Sequence, residues 1–308
     1  MESKKIAVIG STNMDMVVKT THLPVPGETV LGGSFFMNPG GKGANQAVAV
    51  ARLGGDATFV TKIGTDVFGK QSSQLFDEEG INTSCILSDH TSPSGVALIM
   101  VDQAGENSIV VASGANANLM PGDVDACLQK IGDIDIILLQ LEIPIETVDF
   151  VTKYAAERDI KVIVNPAPAN ALSPALLKRI DIITPNSKEA EMLSGIEVKN
   201  IEDAKQAALV LHEKGVKDVI VTLGSKGALV LTDNEFTLIP AHKVDTVDTT
   251  AAGDVFNGAL AVAIAEGQEI IPAVEFACFA ASLSVTKLGA QSSIPYRNEL
   301  IVKKISIL

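Results

Sequence analysis

Apolar strand-like segments alternate with amphipathic helical segments, and this pattern constrains the fold more than any other feature of the chain. From residue 134 onward, helical stretches such as IETVDFVTKYAAERD and IEDAKQAALVLHEKG are interspersed with the segments IDIILLQLE, KVIVNPAPA, IDIITPN and KDVIVTLG. An earlier segment, KKIAVIG, has the same apolar character. Strands that alternate with helices form βαβ units. We therefore predict an α/β fold with a doubly wound, mostly parallel sheet and helices on both faces.

Other segments and the composition of the chain fit the same interpretation. GALVLT and EFTLIPA form a predicted hairpin, two helices follow over 253–266 and 272–286, and GANQAVAVARLGG is an earlier helix. Hydrophobic residues make up 46% of the chain and Trp is absent, so the core must be built from aliphatic side chains and alanine. Such a core suits a parallel sheet covered by helices.

A second group of strand-like segments lies within about 13–37 and 94–113. MVVKT, TVLGGSFF, SGVALIMV and NSIVVAS are short and are separated by glycine, proline and other turn residues. Isolated two-stranded ribbons are marginally stable in water, so we expect these segments to pair as one small sheet. We predict that this sheet is a lid, within a single domain that spans residues 1–308.

Charge and cysteine content restrict the partners and the compartment. The 308 residues include 24 Lys and Arg against 37 Asp and Glu, which gives a net charge of −13 and disfavours nucleic acid and anionic membranes as partners. The three cysteines form no CxxC pair, as expected for reduced thiols. The N-terminal apolar stretch is too short for a signal peptide, and no run spans a bilayer. We expect a cytoplasmic protein.

Polar or turn-forming residues follow the predicted strands where each one ends. Because ligands bind outside the carboxyl ends of strands in open α/β sheets, these residues could converge on one pocket. Each of them alone is equally well explained as a turn or cap residue. The residues are Glu142, Asn165, Asn186, Thr222 and Gly224.

Asn13 and Asp15 follow the first strand and are two residues apart. In extended backbone this spacing places both side chains on the same side. An amide beside a carboxylate can donate to and accept from neighbouring hydroxyls, as sugar binding requires. A simple Asx turn remains the alternative.

The segment Pro39–Asn45, PGGKGAN, is rich in glycine and opens a helix. Glycine lets a ligand approach the backbone closely, which suggests a binding role here. The segment lacks the residues of a Walker A loop, and no GxGxxG follows the first strand. A dinucleotide-binding fold of the usual kind is therefore disfavoured.

The segment Asp248–Asp254, DTTAAGD, precedes the helix VFNGALAVAIA. Small residues before a helix N-terminus leave its free N–H groups and its dipole accessible to an anion. Gly253 would give a phosphoryl oxygen room, and Asp254 would lie in the first turn. Helix capping by Asp254 is the alternative, but it does not account for the small residues before it. We interpret Asp254 as catalytic.

These segments resemble the ribokinase-like carbohydrate kinases over essentially the whole chain. Both signature regions of that family are present, as GGKGANQAVAVARLGG over 40–55 and DTTAAGDVFNGAL over 248–260. NSKE, TLGSKG and GAQSSIP also match in order and position. The resemblance implies an enzyme that transfers a phosphoryl group from ATP to a sugar hydroxyl, with ribose and its 5-hydroxyl as the expected acceptor.

The resemblance also implies a role for individual residues. Asp254 would be the catalytic base, and the anion hole would consist of the backbone amides of Ala251, Ala252 and Gly253. The sugar would contact Asn13, Asp15, Gly41, Lys42, Asn45, Glu142 and Asp254. ATP would contact Asn186, Thr222, Gly224, Lys226, Gly227, Gly253 and Cys278. Cys278 departs from the family, which often has His or Asn at this position.

Two metal ions are implied by the same resemblance. Glu189, with Asn186, would organise Mg²⁺ around the phosphates without binding it directly. A K⁺ ion would activate the enzyme from a site beside the anion hole, bound in part by backbone carbonyls. The matching residues are Asp248, Thr250, Ser284, Lys287, Gly289 and Ser293.

Several alternatives stay open at this point. A 2-deoxyribose kinase or a fructokinase would have the same fold, whereas a nucleoside kinase is disfavoured because Phe35 and Phe36 are the only aromatic residues in the lid segments. A sugar-binding protein without activity would not need Asp254 and its loop. An NAD-dependent enzyme would need the missing glycine fingerprint. The resemblance also implies a homodimer that forms through the lid.

Overall fold

The computed structural model describes residues 4–31 and 33–307. Its strands, in chain order, are β1 (Lys5–Ile9), β2 (Asn13–Lys19), β3 (Ser34–Gly40), β4 (Asp56–Gly64), β5 (Asn82–Asp89), β6 (Gly95–Val101), β7 (Asn107–Ala112), β8 (Ile136–Leu139), β9 (Lys161–Val164), β10 (Ile182–Ile183), β11 (Asp218–Thr222), β12 (Ala228–Thr232) and β13 (Glu235–Ile239).

The helices are α1 (Lys42–Arg52), α2 (Val67–Glu78), α3 (Pro121–Ile131), α4 (Ile145–Ala156), α5 (Pro174–Leu177), α6 (Ser187–Ser194), α7 (Ile201–Glu213), α8 (Ala252–Ala265), α9 (Ile270–Ser284) and α10 (Arg297–Ile307). Short 3-10 helices lie at Gly114–Asn118, Gly224–Lys226 and Gln291–Ser293. Among the described residues, no helix has both the length and the apolar character that a membrane span requires.

Nine strands form the main sheet, in the order β13-β12-β11-β10-β9-β8-β1-β4-β5. All neighbours from β11 to β5 pair in parallel, and only the hairpin strand β12 runs against its two neighbours. The prediction of a mostly parallel sheet is confirmed.

Alternate residues of the buried strands face two separate cores. Ile6 and Val8 of β1 pack with residues of α1, α2, α8 and α9, whereas Ala7 and Ile9 pack with residues of α3, α4, α6 and α7. Successive side chains of a strand point to opposite faces of its sheet, so both faces are covered by helices. The doubly wound arrangement is therefore confirmed.

The four segments from the first half of the chain form a separate small sheet, in the order β3-β2-β6-β7. Strands β2 and β6 pair in parallel, and each has an antiparallel partner at the edge. The predicted pairing of these segments into one sheet is confirmed.

The small sheet is attached at the carboxyl end of β1. Only residues 10–12 separate β1 from β2, and β3 ends at Gly40, two residues before α1 begins. Strand β1 lies between β4 and β8 in the main sheet. The chain continues from β1 to β4 and β5 at one edge, and the later strands from β8 onward extend to the other edge. Such a switch point opens a crevice at the carboxyl ends of the strands, where ligands of α/β proteins bind.

Candidate active site

The glycine-rich segment brings the start of α1 against the end of β1. Gly41 has a φ of 91°, in the left-handed region that favours glycine, and a Cβ at this position would lie 2.7 Å from the backbone nitrogen of Asn13. A Cβ at Gly43 would lie 2.5 Å from backbone atoms of Gly10 and Ser11. At Gly41 and Gly43 the protein's own backbone therefore lies where a side chain would stand, so glycine is required there for packing.

Asp254 lies in the first turn of α8 and is buried. Its Oδ2 accepts a hydrogen bond from Asn45 Nδ2 at 2.9 Å, and its Oδ1 accepts one from Gln46 Nε2 at 3.0 Å. Both donors come from α1, which packs against α8 in the core on the same face of the main sheet. The two signature segments thus meet at this carboxylate.

Burial and the neighbouring groups act in different directions on the pKa of Asp254. Burial raises the pKa of its carboxyl group, while Lys42 and the two amide donors lower it and Glu142 raises it, and the net shift is upward. Burial alone would lower the pKa of the Lys42 ammonium, but Asp254, Glu142, Glu189 and Asp15 raise it above its usual value. The lysine therefore stays charged among the carboxylates.

Asn13 and Asp15 enter the site from β2. Asn13 Oδ1 accepts a hydrogen bond from Asn116 Nδ2 at 2.8 Å, which leaves the amino group of Asn13 free to face a ligand. Burial is the largest influence on Asp15 and, with Glu142 and Asp254, it raises the pKa of this carboxyl to about 7, against a lowering effect of Lys42.

Glu142 lies beyond the end of β8. Its Oε2 accepts hydrogen bonds from Ser11 Oγ at 2.5 Å and from the backbone amide of Lys42 at 3.1 Å. The Ser11 hydroxyl in turn accepts a hydrogen bond from the backbone amide of Gly43 at 3.3 Å. Glu142 is therefore fixed against the first turn of α1.

Asn45 has a buried amide oxygen that finds no hydrogen-bond partner among the described residues. Its nitrogen is committed to Asp254, so this oxygen can only accept a hydrogen bond. A buried acceptor without a partner is costly unless a ligand satisfies it. A sugar hydroxyl would supply the missing donor.

A cavity of about 240 Å³ adjoins Asp254. Ala251, at the N-terminus of α8, has a φ of 61°, in the left-handed region that alanine rarely adopts. The backbone amide of Ala252 donates to Thr249 O at 3.2 Å, whereas the space beside Gly253 is open. The helix N-terminus can therefore receive an anion at Gly253. The cavity is lined by Lys42, Asn165, Ala167, Thr184, Asn186, Glu189, Thr222, Thr249, Ala251, Ala252, Gly253, Asp254 and Asn257.

The predicted nucleotide residues are only partly brought together. Asn186 and Thr222 line the cavity, while Gly224 and Lys226 lie in an exposed 3-10 helix just beyond β11 and Gly227 follows it. Cys278 is buried on α9 and does not line the cavity. Burial, with a smaller effect of Glu275, raises the pKa of its thiol to about 12.

Glu189 has one carboxylate oxygen occupied by the start of α6. Its Oε2 accepts a hydrogen bond from the backbone amide of Asn186 at 2.8 Å, and Asn186 Oδ1 caps the Glu189 amide at 2.9 Å. Burial raises the pKa of this carboxyl, although Asn186 and Lys42 lower it and Asp254 raises it further. Glu189 lines the cavity, and its remaining oxygen suits water-mediated contact with Mg²⁺.

Asp248 joins the loop before α8 to the loop after α9. Its Oδ1 accepts from the amide and the hydroxyl of Thr250, at 2.9 and 2.6 Å, and its Oδ2 accepts from the amide of Gly289 at 2.9 Å. Burial alone would raise the pKa of Asp248, but these hydrogen bonds bring it below its usual value.

The other residues predicted to bind K⁺ lie around the same loops. The Lys287 ammonium forms a salt bridge with Glu299 at 2.6 Å, and because an ammonium has no acceptor, Lys287 could bind a cation only through its backbone carbonyl. The hydroxyls of Ser284 and Ser293 donate to carbonyls of their own segments. A carboxylate together with carbonyl and hydroxyl oxygens is a donor set that fits K⁺.

Several residues of the site were not identified as functional from the sequence. They are Ser11, Gln46, Asn116 and Gln140, and their side chains act through hydrogen bonds to the predicted residues or to one another. Gln46 stands inside the first signature segment, which was the one signal that could have drawn attention to it.

Comparisons with known proteins agree with this geometry. A model of the pfkB family of carbohydrate kinases matches residues 3–297. A ribokinase of Haemophilus influenzae is 45% identical over 298 residues, 97% of either chain. A deoxyribokinase of Salmonella typhi is 38% identical and covers 94% of this chain and 95% of its own. A solved ribokinase of Arabidopsis thaliana, complexed with ribose and ATP, is 34% identical, with a TM-score of 0.90 and 98% of both chains covered.

Proposed function

The chain belongs to the pfkB family of carbohydrate kinases, and we propose that it is a ribokinase, which phosphorylates D-ribose at its 5-hydroxyl with ATP. One observation carries this proposal: the buried Asp254 carboxylate lines a cavity at a helix N-terminus and is bonded to Asn45, whose free oxygen suits a hydroxyl. The name of the Haemophilus influenzae relative supports ribose as the sugar.

In the proposed reaction, the 5-hydroxyl of ribose donates a hydrogen bond to Asp254. The carboxylate takes up the proton as the new O–P bond forms and ADP leaves. Because burial raises the pKa of this carboxyl, it is a stronger base than an exposed aspartate. Such general base catalysis contributes about 10²–10⁴ in rate.

The transferring phosphoryl group is proposed to face the N-terminus of α8. The open space at Gly253 and the positive end of the helix dipole favour negative charge there, and the Lys42 ammonium adds to this effect. Mg²⁺, when bound with the phosphates near Glu189, supplies further charge neutralisation. The site residues named in the sequence analysis are proposed to hold sugar, nucleotide and ions in this arrangement.

We further propose that K⁺ activates the enzyme from the loops joined by Asp248. The Asp248 carboxylate links the segment before α8 to Gly289, so a cation bound there would stabilise the loop that presents the anion site. Asp248 also has a lowered pKa, which keeps it ionised and able to attract a cation.

The small sheet is proposed to act as a lid within a single domain. Asn13 and Asp15 belong to β2 and lie in the site, so movement of this sheet would close the site over the sugar. Exclusion of water would prevent hydrolysis of ATP. We also propose a cytoplasmic location, because all three cysteines are free thiols.

An assay of ADP release with a panel of sugars tests the proposed function. We expect ribose to give the highest kcat/KM, with phosphorus NMR showing a 5-phosphate product, and a higher rate in KCl than in NaCl. A preference for 2-deoxyribose is the second candidate, favoured by the 38% identical deoxyribokinase. A preference for fructose would also overturn the choice of ribose. Equal rates in the two salts would contradict the role of K⁺.

A further inference from the structure

The side chain of Gln46 is buried beside Asp254 and uses both ends of its amide. Its Nε2 donates to Asp254 Oδ1 at 3.0 Å and to Asn165 Oδ1 at 3.1 Å. Its Oε1 accepts a hydrogen bond from Gln140 Nε2 at 2.6 Å. Gln46 and Gln140 are both fully buried, so water does not compete for these groups.

The direction of this chain of amides is fixed at its far end by a backbone carbonyl. Asn165 Nδ2 donates to the carbonyl of Thr184 at 3.4 Å, and a carbonyl can only accept. Asn165 must therefore present its oxygen to Gln46, and Gln46 must present its amino group to Asn165 and Asp254. The opposite rotation of Gln46 would place its oxygen against the Asp254 carboxylate and its amino group against that of Gln140.

Asp254 is otherwise surrounded by more negative than positive groups. The charged side chains that influence it or share its site are Asp15 of β2, Lys42 of α1, Glu142 beyond β8 and Glu189 of α6. Three of these four are carboxylates, and burial also opposes ionisation. The donors from α1 therefore decide whether Asp254 can remain an acceptor.

We propose that Gln46 is a positioning residue that keeps Asp254 ionised and fixes the rotation of its carboxylate, and that Asn165 sets the direction of the Gln46 amide while Gln140 holds its oxygen. Gln46 contacts no reacting atom in this scheme and acts through Asp254. The inference rests on the proposed function only in taking Asp254 as the base. Its effect on the carboxylate itself is independent of any substrate.

The test replaces Gln46 with methionine, which has nearly the same volume and no donor. Loss of a hydrogen bond to a charged acceptor raises the pKa of Asp254 by about one to two units. Carbon NMR of protein labelled at aspartate carboxyl carbons measures this pKa without turnover, and Asp254→Asn identifies the signal. Gln129→Met is the matched control, because Gln129 also donates to a carboxylate, that of Asp125, but on the surface of α3.

Activity supplies the second measurement. In Gln46→Met the acidic limb of the kcat/KM profile moves up by the same one to two pH units, and the rate approaches that of the wild type at alkaline pH. Gln140→Leu shifts the limb in the same direction by less. An unmoved Asp254 signal, or a loss of rate that is equal at every pH, would overturn the proposal. If Gln46→Met does not fold, Gln46→Asn is the alternative, because the shorter side chain moves the amide donor out of reach of Asp254.

Failure of this proposal can be told apart from failure of the proposed function. If no sugar is phosphorylated, the NMR titration still shows whether Gln46 controls the ionisation of Asp254. If ribose is phosphorylated but the titration does not move, only the role of Gln46 is wrong.

Discussion

At the scale of single residues, the site brings together several carboxyl groups whose ionised form is disfavoured by burial. Asp15 has a pKa raised to about 7, chiefly by burial and then by Glu142 and Asp254, with Lys42 acting in the opposite direction. The unfolded chain would release this proton near pH 4. The folded protein therefore loses stability as the pH rises from about 4 through 7, because the unfolded state binds fewer protons there.

This loss of stability with rising pH leads to a prediction for Asp15→Asn. The uncharged amide removes the cost of burying a carboxylate, so the variant should have a Tm several degrees above that of the wild type at pH 8. The difference should shrink toward pH 5, where the wild-type carboxyl is protonated. Thermal unfolding from pH 5 to pH 8 measures it, with the exposed Asp133→Asn as control. An equal difference at every pH would contradict the explanation.

The sequence predicted some site residues and missed others for a physical reason. Asp254, Asn13 and Asp15 stand at strand ends or helix starts, where local patterns reveal them. Gln46 and Gln140 are 94 residues apart, and each amide acquires its role only from the neighbour that the fold brings to it. Asn116 likewise contacts Thr12 and Asn13 across more than a hundred residues.

At the scale of secondary structure elements, the sequence predicted the strands best where they are continuous apolar runs. Residues 56–93 received no assignment, yet they form β4, α2 and β5 at one edge of the main sheet. Strand β5 reads NTSCILSD and has only three consecutive apolar residues, so its pattern does not distinguish a strand from a loop. Helix α2 depends on a cap by Asp66, which accepts from Gly69 N at 2.9 Å.

The glycines before α1 show a further limit of prediction from the sequence. They suggested a binding role from the sequence, whereas the structure shows that Gly41 and Gly43 also let the protein's own backbone approach closely. Gly95 of β6 is a comparable case outside the signature segments. A Cβ there would overlap Asn13 Oδ1 and Asn116 Nδ2, so glycine leaves the room in which these two amides pair.

Gly95→Ala is therefore predicted to displace Asn13 and to raise the KM for ribose by about tenfold or more, with little change in the KM for ATP. The physical reason is a lost hydrogen bond to the sugar, worth about one to two kcal/mol. Steady-state kinetics with each substrate varied in turn measures the split. Gly122→Ala in α3, where the space is open, is the matched control. An unchanged KM for ribose would show that Asn13 does not contact the sugar.

At the scale of the whole molecule, the small sheet exposes an apolar surface that the main domain does not cover. A contiguous patch of this kind is typical of an interface between proteins. We expect a second copy of the chain to cover it, in line with the homodimer that the resemblance to carbohydrate kinases implies. The exposed apolar residues on the face that points away from Asn13 and Asp15 are Val18, Phe35, Met37, Leu98 and Val110, whereas Phe36, Ile109 and Val111 lie on the other face.

The predicted dimer is tested by Val110→Asp, a change in a side chain that is 63% exposed. A charge at the interface should convert the dimer to a monomer, as measured by light scattering after gel filtration. Val302→Asp in α10 is the control, since this valine is 66% exposed and lies far along the chain from the small sheet. The same mass for Val110→Asp and the wild type, or a monomeric wild type, would contradict the assignment of the interface.

The central claim is that Asp254 is the catalytic base of a sugar kinase, and the kcat of Asp254→Asn with ribose and ATP tests it most directly. The asparagine side chain is isosteric but cannot accept the proton, so kcat should fall at least about a hundredfold while the Tm stays within a few degrees of the wild type. Turnover within a few fold of the wild-type rate would contradict the claim.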